Sequence, residues 1–341
     1  MSKYISIFNN KGGVGKTTIT WNLGNSIADR GNSVLLIDFD AQCNLSIAAL
    51  GTETFTKYLP TQNAPYGTTI RSFMQRFIQN TGGEEFHCYG TENSNKKMMI
   101  MAGDFWLNVY SESLSVGQDL LTGNGIVKYA ALRHMVDEGA KKGINFDYVL
   151  IDLPPSFGSL VRAALYCSDY FVVPCTSDSF SPYCISLIGQ MLPIFMNDWQ
   201  VGMQRFVAAN PAIKTYSSLG DPKFAGWVYN GFDTRSGNYL RADSAHAAMI
   251  AKSVNDNLIA NPKIHKADGL QGDAKIGDIQ DMNVLAQNGL WLSVPIKNLN
   301  SHQPVKGLRD RGSWSGDQRN LINQIGGKFD QLADNIIRIC V

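Results

Sequence analysis

One stretch narrows the folds open to this chain more than any other: Asn9-Asn10-Lys11-Gly12-Gly13-Val14-Gly15-Lys16-Thr17-Thr18. Before it, Tyr4-Ile5-Ser6-Ile7-Phe8 is a short apolar run of the kind that forms a buried strand. After it, Ile19, Leu23, Ile27 and Ala28 recur at helical spacing until Gly31. Strand, glycine loop and helix is the context that a phosphate-binding loop requires. Glycines at 12, 13 and 15 remove side chains, so successive backbone N–H groups can turn inward at the positive end of a helix. On this pattern Lys16 reaches the β- and γ-phosphates of a nucleotide, and the Thr17 hydroxyl ligates Mg²⁺. The plainer alternative is a glycine turn with a solvated lysine, but Gly-Lys-Thr in this context arises by chance far less often than a bare Gly-x-Gly.

Two further apolar runs end in carboxylates. Ser33-Val34-Leu35-Leu36-Ile37-Asp38 is nearly continuous, as in a parallel strand covered on both faces, and runs on into Phe39-Asp40. Carboxylates at i and i+2 project to the same side of a strand end, where open α/β sheets bind ligands. Phe146-Asp147-Tyr148-Val149-Leu150-Ile151-Asp152 repeats the pattern, and Pro154-Pro155 separates Asp152 from the next helix, which argues against a simple helix cap. An aspartate ending such a strand suits the hydration shell of Mg²⁺. Further strands are expected at 97–103, 170–174, 224–230 and 290–295, with helices between them. The alternation predicts a doubly wound, mainly parallel β-sheet with helices on both faces.

The 341 residues read as one domain with insertions at about 51–95 and 260–280 and a C-terminal helix over about 317–339. A formal net charge of +1 singles out neither a nucleic-acid binder nor a membrane-surface protein. The six cysteines, at 43, 88, 167, 175, 184 and 340, contain no Cys-x-x-Cys and have no histidines at zinc-finger spacing, so neither a zinc site nor a disulfide framework is indicated. A cytoplasmic setting fits that usage. Met-Ser-Lys-Tyr does not read as a signal peptide, and the most apolar run, 183–196, is too short to cross a bilayer, so no membrane is expected.

The motif Lys11-Gly12-Gly13-Val14-Gly15-Lys16-Thr17-Thr18, with Asp38-Phe39-Asp40-Ala41-Gln42-Cys43-Asn44 and Asp152-Leu153-Pro154-Pro155-Ser156, resembles the ParA/MinD family of dimeric P-loop ATPases. Ala41 stands where that family usually has proline. The resemblance implies ATP and Mg²⁺ as cofactors and a homodimer on ATP binding. In that dimer Lys11 crosses to the partner's nucleotide, Asp40 positions the attacking water, and Asp38 joins Thr17 and Asp152 around the metal. It also implies an adaptor protein that stimulates slow hydrolysis. By position, Asn230 would read the adenine edge, with Pro295 and Ile296 as pocket walls, and Asp178 is a candidate interface or switch residue.

Lys297, Lys306, Arg309, Arg311 and Arg319 outnumber Asp310 and Asp317 in one segment, the sole hint of non-specific contact with DNA. In the last helix Leu321, Ile325, Phe329, Leu332 and Ile336 make one apolar stripe, which reads as a packed helix. The expected function is a ParA-like ATPase in DNA partition or cargo positioning. The alternative is a nucleotide-gated scaffold without DNA binding.

Overall fold

A computed structural model of the chain describes residues 2–116, 123, 125–211, 216–235, 238–305 and 312–341. In chain order, β1 (Lys3–Ile7) leads through the glycine loop into α1 (Lys16–Asp29) and β2 (Val34–Asp38). Helices α2 (Asn44–Leu50), α3 (Thr52–Thr56) and α4 (Arg71–Gln79) precede strands β3 (Tyr89–Gly90) and β4 (Met98–Met101). Then come α5 (Leu107–Val116), α6 (Ile126–Tyr129), α7 (Ala131–Lys141), β5 (Tyr148–Asp152), α8 (Ser159–Cys167) and β6 (Tyr170–Thr176). The long α9 (Ser181–Ala209) is followed by β7 (Lys223–Phe232), the short hairpin of β8 (Thr234–Arg235) and β9 (Asn238–Tyr239), and α10 (Arg241–Val254). The last elements are β10 (Lys275–Gln280), α11 (Val284–Leu292) and α12 (Gly316–Ile339).

The main sheet runs β10-β7-β6-β1-β5-β2-β4-β3, and every neighbouring pair is parallel except β3 with β4. The doubly wound, mainly parallel fold is therefore the one expected. β2 and β5 are buried at every position, which is why their sequences lack polar alternation. Their parallel register sets Asp38 opposite Asp152, so both acidic strand ends reach the same edge of the sheet as the glycine loop. One apolar layer, with Phe8, Leu35, Val149 and Val173, lies beneath α4 to α10; the other, with Ile5, Ile7, Leu36 and Leu150, lies beneath α1, α11 and α12.

The stripe on α12 belongs to this second layer. Ile325, Phe329, Leu332 and Ile336 are buried, each side chain contributing about 1.5–3 kcal/mol, while Leu321 is half-buried and the neighbouring Ile322 takes the buried place. A capping box between Ser315 and Gln318 starts the helix. Its polar side is tied to α1 through Arg30 with Asp330 and Asp334, and through Lys297 with Asp29 and Asp330. Among the described residues no helix is long and apolar enough to cross a membrane.

In α9, Pro193 has no N–H for the carbonyl of Gly189 one turn earlier. Asn261 Nδ2 donates to that carbonyl at 3.0 Å, so the helix stays intact across the proline and the segment after α10 is docked against it.

Two sequence expectations need correction. The strand expected at 290–295 is the end of α11 and the turn after it; the last strand is β10, within the segment read as an insertion over 260–280. β10 lies at the sheet edge beside β7, and Lys-Ile-Gly-Asp-Ile-Gln has no strand period because its pairing shifts register twice, which leaves the buried Ile276 and Ile279 three positions apart. Leu-Trp-Leu-Ser-Val looks strand-like because it is short and apolar, a case in which periodicity cannot separate helix from strand. The segment 51–95 is also more ordered than its composition suggests, and it supplies the antiparallel edge strand β3.

Candidate phosphate-binding site

The glycine loop joins β1, at the centre of the sheet, to α1. Asn9 anchors its start: Nδ2 donates to the carbonyl of Pro174 at 2.7 Å, and Oδ1 accepts from the Lys11 N–H at 2.9 Å. Gly13 and Gly15 have φ of +74° and +84°, a left-handed backbone that side chains disfavour. At Gly15 a Cβ would also lie 2.3 Å from Asn230 Nδ2, so any side chain there would have to displace Asn230. No side chain caps α1. The first N–H groups of the helix are therefore not occupied by a capping oxygen, and the helix end presents positive charge to the cleft.

Lys16 is 7% exposed and folds back over the loop, donating to the carbonyls of Asn9 at 3.0 Å and Lys11 at 2.9 Å. Burial lowers its pKa, opposed by the nearby Asp152 and Asp40. Thr17 Oγ1 donates to Asp152 Oδ2 at 2.6 Å. The other oxygen of Asp152 is buried without a hydrogen-bond partner. Burial, helped by the adjacent Asp38, pushes the Asp152 carboxyl up to about 8, against the pull of Thr17 and Lys16. An orphaned carboxylate oxygen beside a threonine hydroxyl is a donor set that fits a hard divalent cation.

Asp38 faces elsewhere. Its Oδ2 accepts from both the N–H and the hydroxyl of Ser46 at 2.7 Å, and its Oδ1 from the Asp40 N–H at 3.3 Å. Burial raises it to about 6, partly offset by those bonds. Asp38 thus holds the 39–46 turn to the sheet, where the sequence reading set it around the metal; Thr17 and Asp152 contact each other without it. Gly103 packs so closely that a Cβ would touch the Asp38 side chain at 3.0 Å. Asp40 lies on the cleft wall, with its Oδ1 accepting from the Gln42 N–H at 3.0 Å. Among the described residues no three His, Cys, Asp or Glu side chains converge as a ready-made metal cage.

Lys11 is held within its own chain. Its ammonium pairs with Asp178 and donates to Thr176 Oγ1 at 3.0 Å. Partial burial would raise Asp178, but Lys11, Thr176 and the N–H groups of Phe180 and Ser181 bring it down to about 2. The same loop is fastened to α10 by Ser177, which bonds Asp243 and His246.

The cleft has a volume of about 790 Å³ and is lined by Gly12, Gly13, Gly15, Lys16, Thr17, Thr18 and Asp40 on its polar side. The residues expected around the base lie close to the loop and to α1. Asn230 is 4% exposed and lies under the loop, its Nδ2 donating to the Val14 carbonyl at 3.0 Å. Pro295 is buried, and Ile296 is 1% exposed with its N–H bonded to Asn22 Oδ1. Neither follows a strand, because the segment before them is α11. Of the basic run, Lys297 is neutralised by Asp29 and Asp330, Arg319 is exposed, and Lys306, Arg309 and Arg311 lie outside the described residues. Sequence reasoning missed Ser46 and Asn9 as anchors, since their roles depend on partners distant in the chain or on loop conformation.

A family model described as an AAA domain matches residues 2–199. The sporulation initiation inhibitor protein Soj of Bacillus subtilis is 31% identical over 176 residues, 51% of this chain and 58% of Soj. The chain spans only 51–60% of the length of the curated relatives it matches. Among solved structures, protein DIP2308 of Corynebacterium diphtheriae superposes with a TM-score of 0.66 at 20% identity, covering 87% of this chain and 98% of that one. An ATP complex of McdA from Cyanothece superposes with a TM-score of 0.59 at 14% identity, over 98% of this chain and 96% of McdA. At these identities the superpositions establish the fold.

Proposed function

We propose that this chain, which belongs to the AAA-domain family and resembles Soj, is a ParA/MinD-like P-loop ATPase that binds ATP with Mg²⁺, dimerises around the nucleotide and hydrolyses it slowly as a switch. The observation that carries this reading is the glycine loop itself. Lys16 is turned back on the loop carbonyls, the first turn of α1 is uncapped, and Thr17 is paired with an aspartate that has an unused oxygen. A structure of McdA from Cyanothece, which shares the fold, is an ATP complex.

Bound Mg²⁺ would supply positive charge to the phosphate oxygens, held by Thr17 and Asp152. The amides from Gly12 to Thr18, including that of Val14, cradle the phosphates, and Lys16 stabilises charge on the transferring phosphoryl group. Asp40, on the cleft wall, orients the attacking water. Lys11 contributes only after it leaves Asp178 for the nucleotide of a second subunit, so turnover depends on dimerisation and responds to an adaptor that favours the closed dimer.

In this reading the switch serves DNA partition or cargo positioning, with non-specific DNA binding by the ATP dimer. Neutralisation of Lys297 by Asp29 and Asp330 favours a second reading, a nucleotide-gated scaffold that does not bind DNA. ATP hydrolysis measured with and without duplex DNA separates them: stimulation or ATP-dependent, salt-sensitive retention on DNA supports the first, and stable ATP dimers indifferent to DNA support the second. The assignment of roles is tested by Lys16→Ala, which should abolish nucleotide binding, Lys11→Ala, which should bind without hydrolysing, and Asp40→Ala, which should hold ATP in a trapped dimer. Identical behaviour of the three would refute it.

A further inference from the structure

The cleft over the glycine loop is lined by more than phosphate-binding groups. Besides the loop and Asp40, its lining includes the polar Gln42, Asn44 and Thr52 and the largely apolar Ile47, Leu290 and Trp291. Trp291 is 56% exposed, although tryptophan is among the most hydrophobic side chains a protein carries. It belongs to neither large apolar layer, and no aromatic ring stacks on it among the described residues. Core packing therefore does not explain why the indole stands at the cleft.

Its backbone, in contrast, is firmly held. Asn93 Nδ2 donates to the carbonyls of Leu292 at 3.2 Å and Ser293 at 3.4 Å, and the Val294 N–H closes back on Gly289 at 3.0 Å. Ser293 takes a left-handed φ of +51°, ending α11 one turn past Gly289. Gly51 passes so near that a Cβ would lie 3.2 Å from Ser293 Oγ. Part of the 51–95 segment thus works as a buttress for the end of the helix that presents Trp291.

In the nucleotide reading above, terminal phosphates anchored on Gly12 to Lys16 would leave the sugar and base to extend beyond the loop, along the rest of the cleft. Leu290 borders both the cleft and the narrow crevice lined by Thr17, Thr18, Trp21 and Asn22, so α11 flanks that end of the loop. Asn230, Pro295 and Ile296 are buried, and the Asn230 amide already donates to the Val14 carbonyl, so none of them offers an exposed face for a base to lie on. We infer that Trp291 is the stacking platform for the nucleobase, with Leu290 and Ile47 as its apolar flanks. The inference rests on the nucleotide reading above. It adds that base affinity comes from a π-face, which every base offers, more than from an edge read by hydrogen bonds.

The test compares a non-hydrolysable ATP analogue with inorganic tripolyphosphate, both with Mg²⁺, by titration calorimetry on the full chain and on Trp291→Ala and Trp291→Phe. Loss of the platform should weaken the analogue by about tenfold in Trp291→Ala, leave tripolyphosphate unchanged, and be largely rescued in Trp291→Phe. Tryptophan fluorescence of the unaltered chain should fall on addition of the analogue but not of tripolyphosphate, and that difference should vanish in Trp291→Phe. Equal affinity of Trp291→Ala and the unaltered chain for the analogue would overturn the stacking role and leave the nucleotide reading standing. Parallel losses for both ligands would overturn it too, showing that the indole supports the loop and not the base. If the unaltered chain bound neither ligand, the nucleotide reading would fall and this inference with it.

Discussion

Replacing Asp178 with asparagine removes the charge that holds Lys11 but keeps an amide oxygen to accept from the Phe180 and Ser181 N–H groups at the start of α9. A carboxyl held at about 2 instead of 3.8 has its ionised form stabilised by roughly 2.4 kcal/mol. The Asp178 side chain is 32% exposed, and solvent screening leaves about 1–1.5 kcal/mol of that for the fold. Because the carboxyl is held below its unfolded value, this stability is complete above about pH 4 and is lost as pH falls through about 2. At neutral pH Asp178→Asn should therefore unfold about 2 °C lower. In the proposed dimer the same contact would oppose the transfer of Lys11 to a second subunit. A symmetric dimer transfers two lysines, so the variant should dimerise on a non-hydrolysable ATP analogue about 30- to 100-fold more tightly, the equivalent of roughly 2–3 kcal/mol. Sedimentation velocity over a concentration series reads this constant directly. A dimer constant within threefold of the unaltered chain, together with the expected loss of stability, would refute the reasoning, because it would mean that Lys11 keeps its partner when the dimer forms.

Two other perturbations probe the site from the stability side. Gly15→Ala places a Cβ on a left-handed backbone and 2.3 Å from Asn230 Nδ2, and should cost about 1–3 kcal/mol in denaturant unfolding; an unaffected midpoint would contradict the loop conformation described. Asp152 is raised to about 8 and Asp38 to about 6, both chiefly by burial. Groups raised in the folded state favour it at low pH and withdraw that support as pH rises through the folded value. The nucleotide-free protein should accordingly melt at falling temperature from pH 5 to pH 9. Asp152→Asn should flatten that slope and raise the melting temperature at pH 8; an unchanged slope in differential scanning fluorimetry would refute the assignment.

The local signals in the sequence were strong wherever a function had to be met by neighbouring residues. The strand, glycines and lysine of the loop, the carboxylates ending β2 and β5, and the buried stripe of α12 all follow from periodicity and residue chemistry within about twenty positions. Legibility failed where a short apolar run could serve either secondary structure. Leu290 to Val294 reads as a strand but forms the end of α11 and its turn, while the edge strand β10, with its mixed Lys-Ile-Gly-Asp-Ile-Gln sequence, carries no strand signal. Which way the side chains at Asn230 and Ile296 turn is a further thing that position along the chain does not state: Asn230 donates to Val14 and the Ile296 N–H to Asn22.

The sequence by itself determined the doubly wound sheet, the phosphate-binding loop and the candidate acidic groups, because each is written in spacing that the backbone must obey. Tertiary structure decided which of those groups meet. Parallel register brought Asp152 to Thr17 and turned Asp38 to Ser46, residues separated by 135 positions in the first pair and 8 in the second. It also paired Lys11 with Asp178 across 167 positions and set Trp291 against the cleft. Contacts of that range depend on how helices and strands pack in space, which no local pattern of residues encodes.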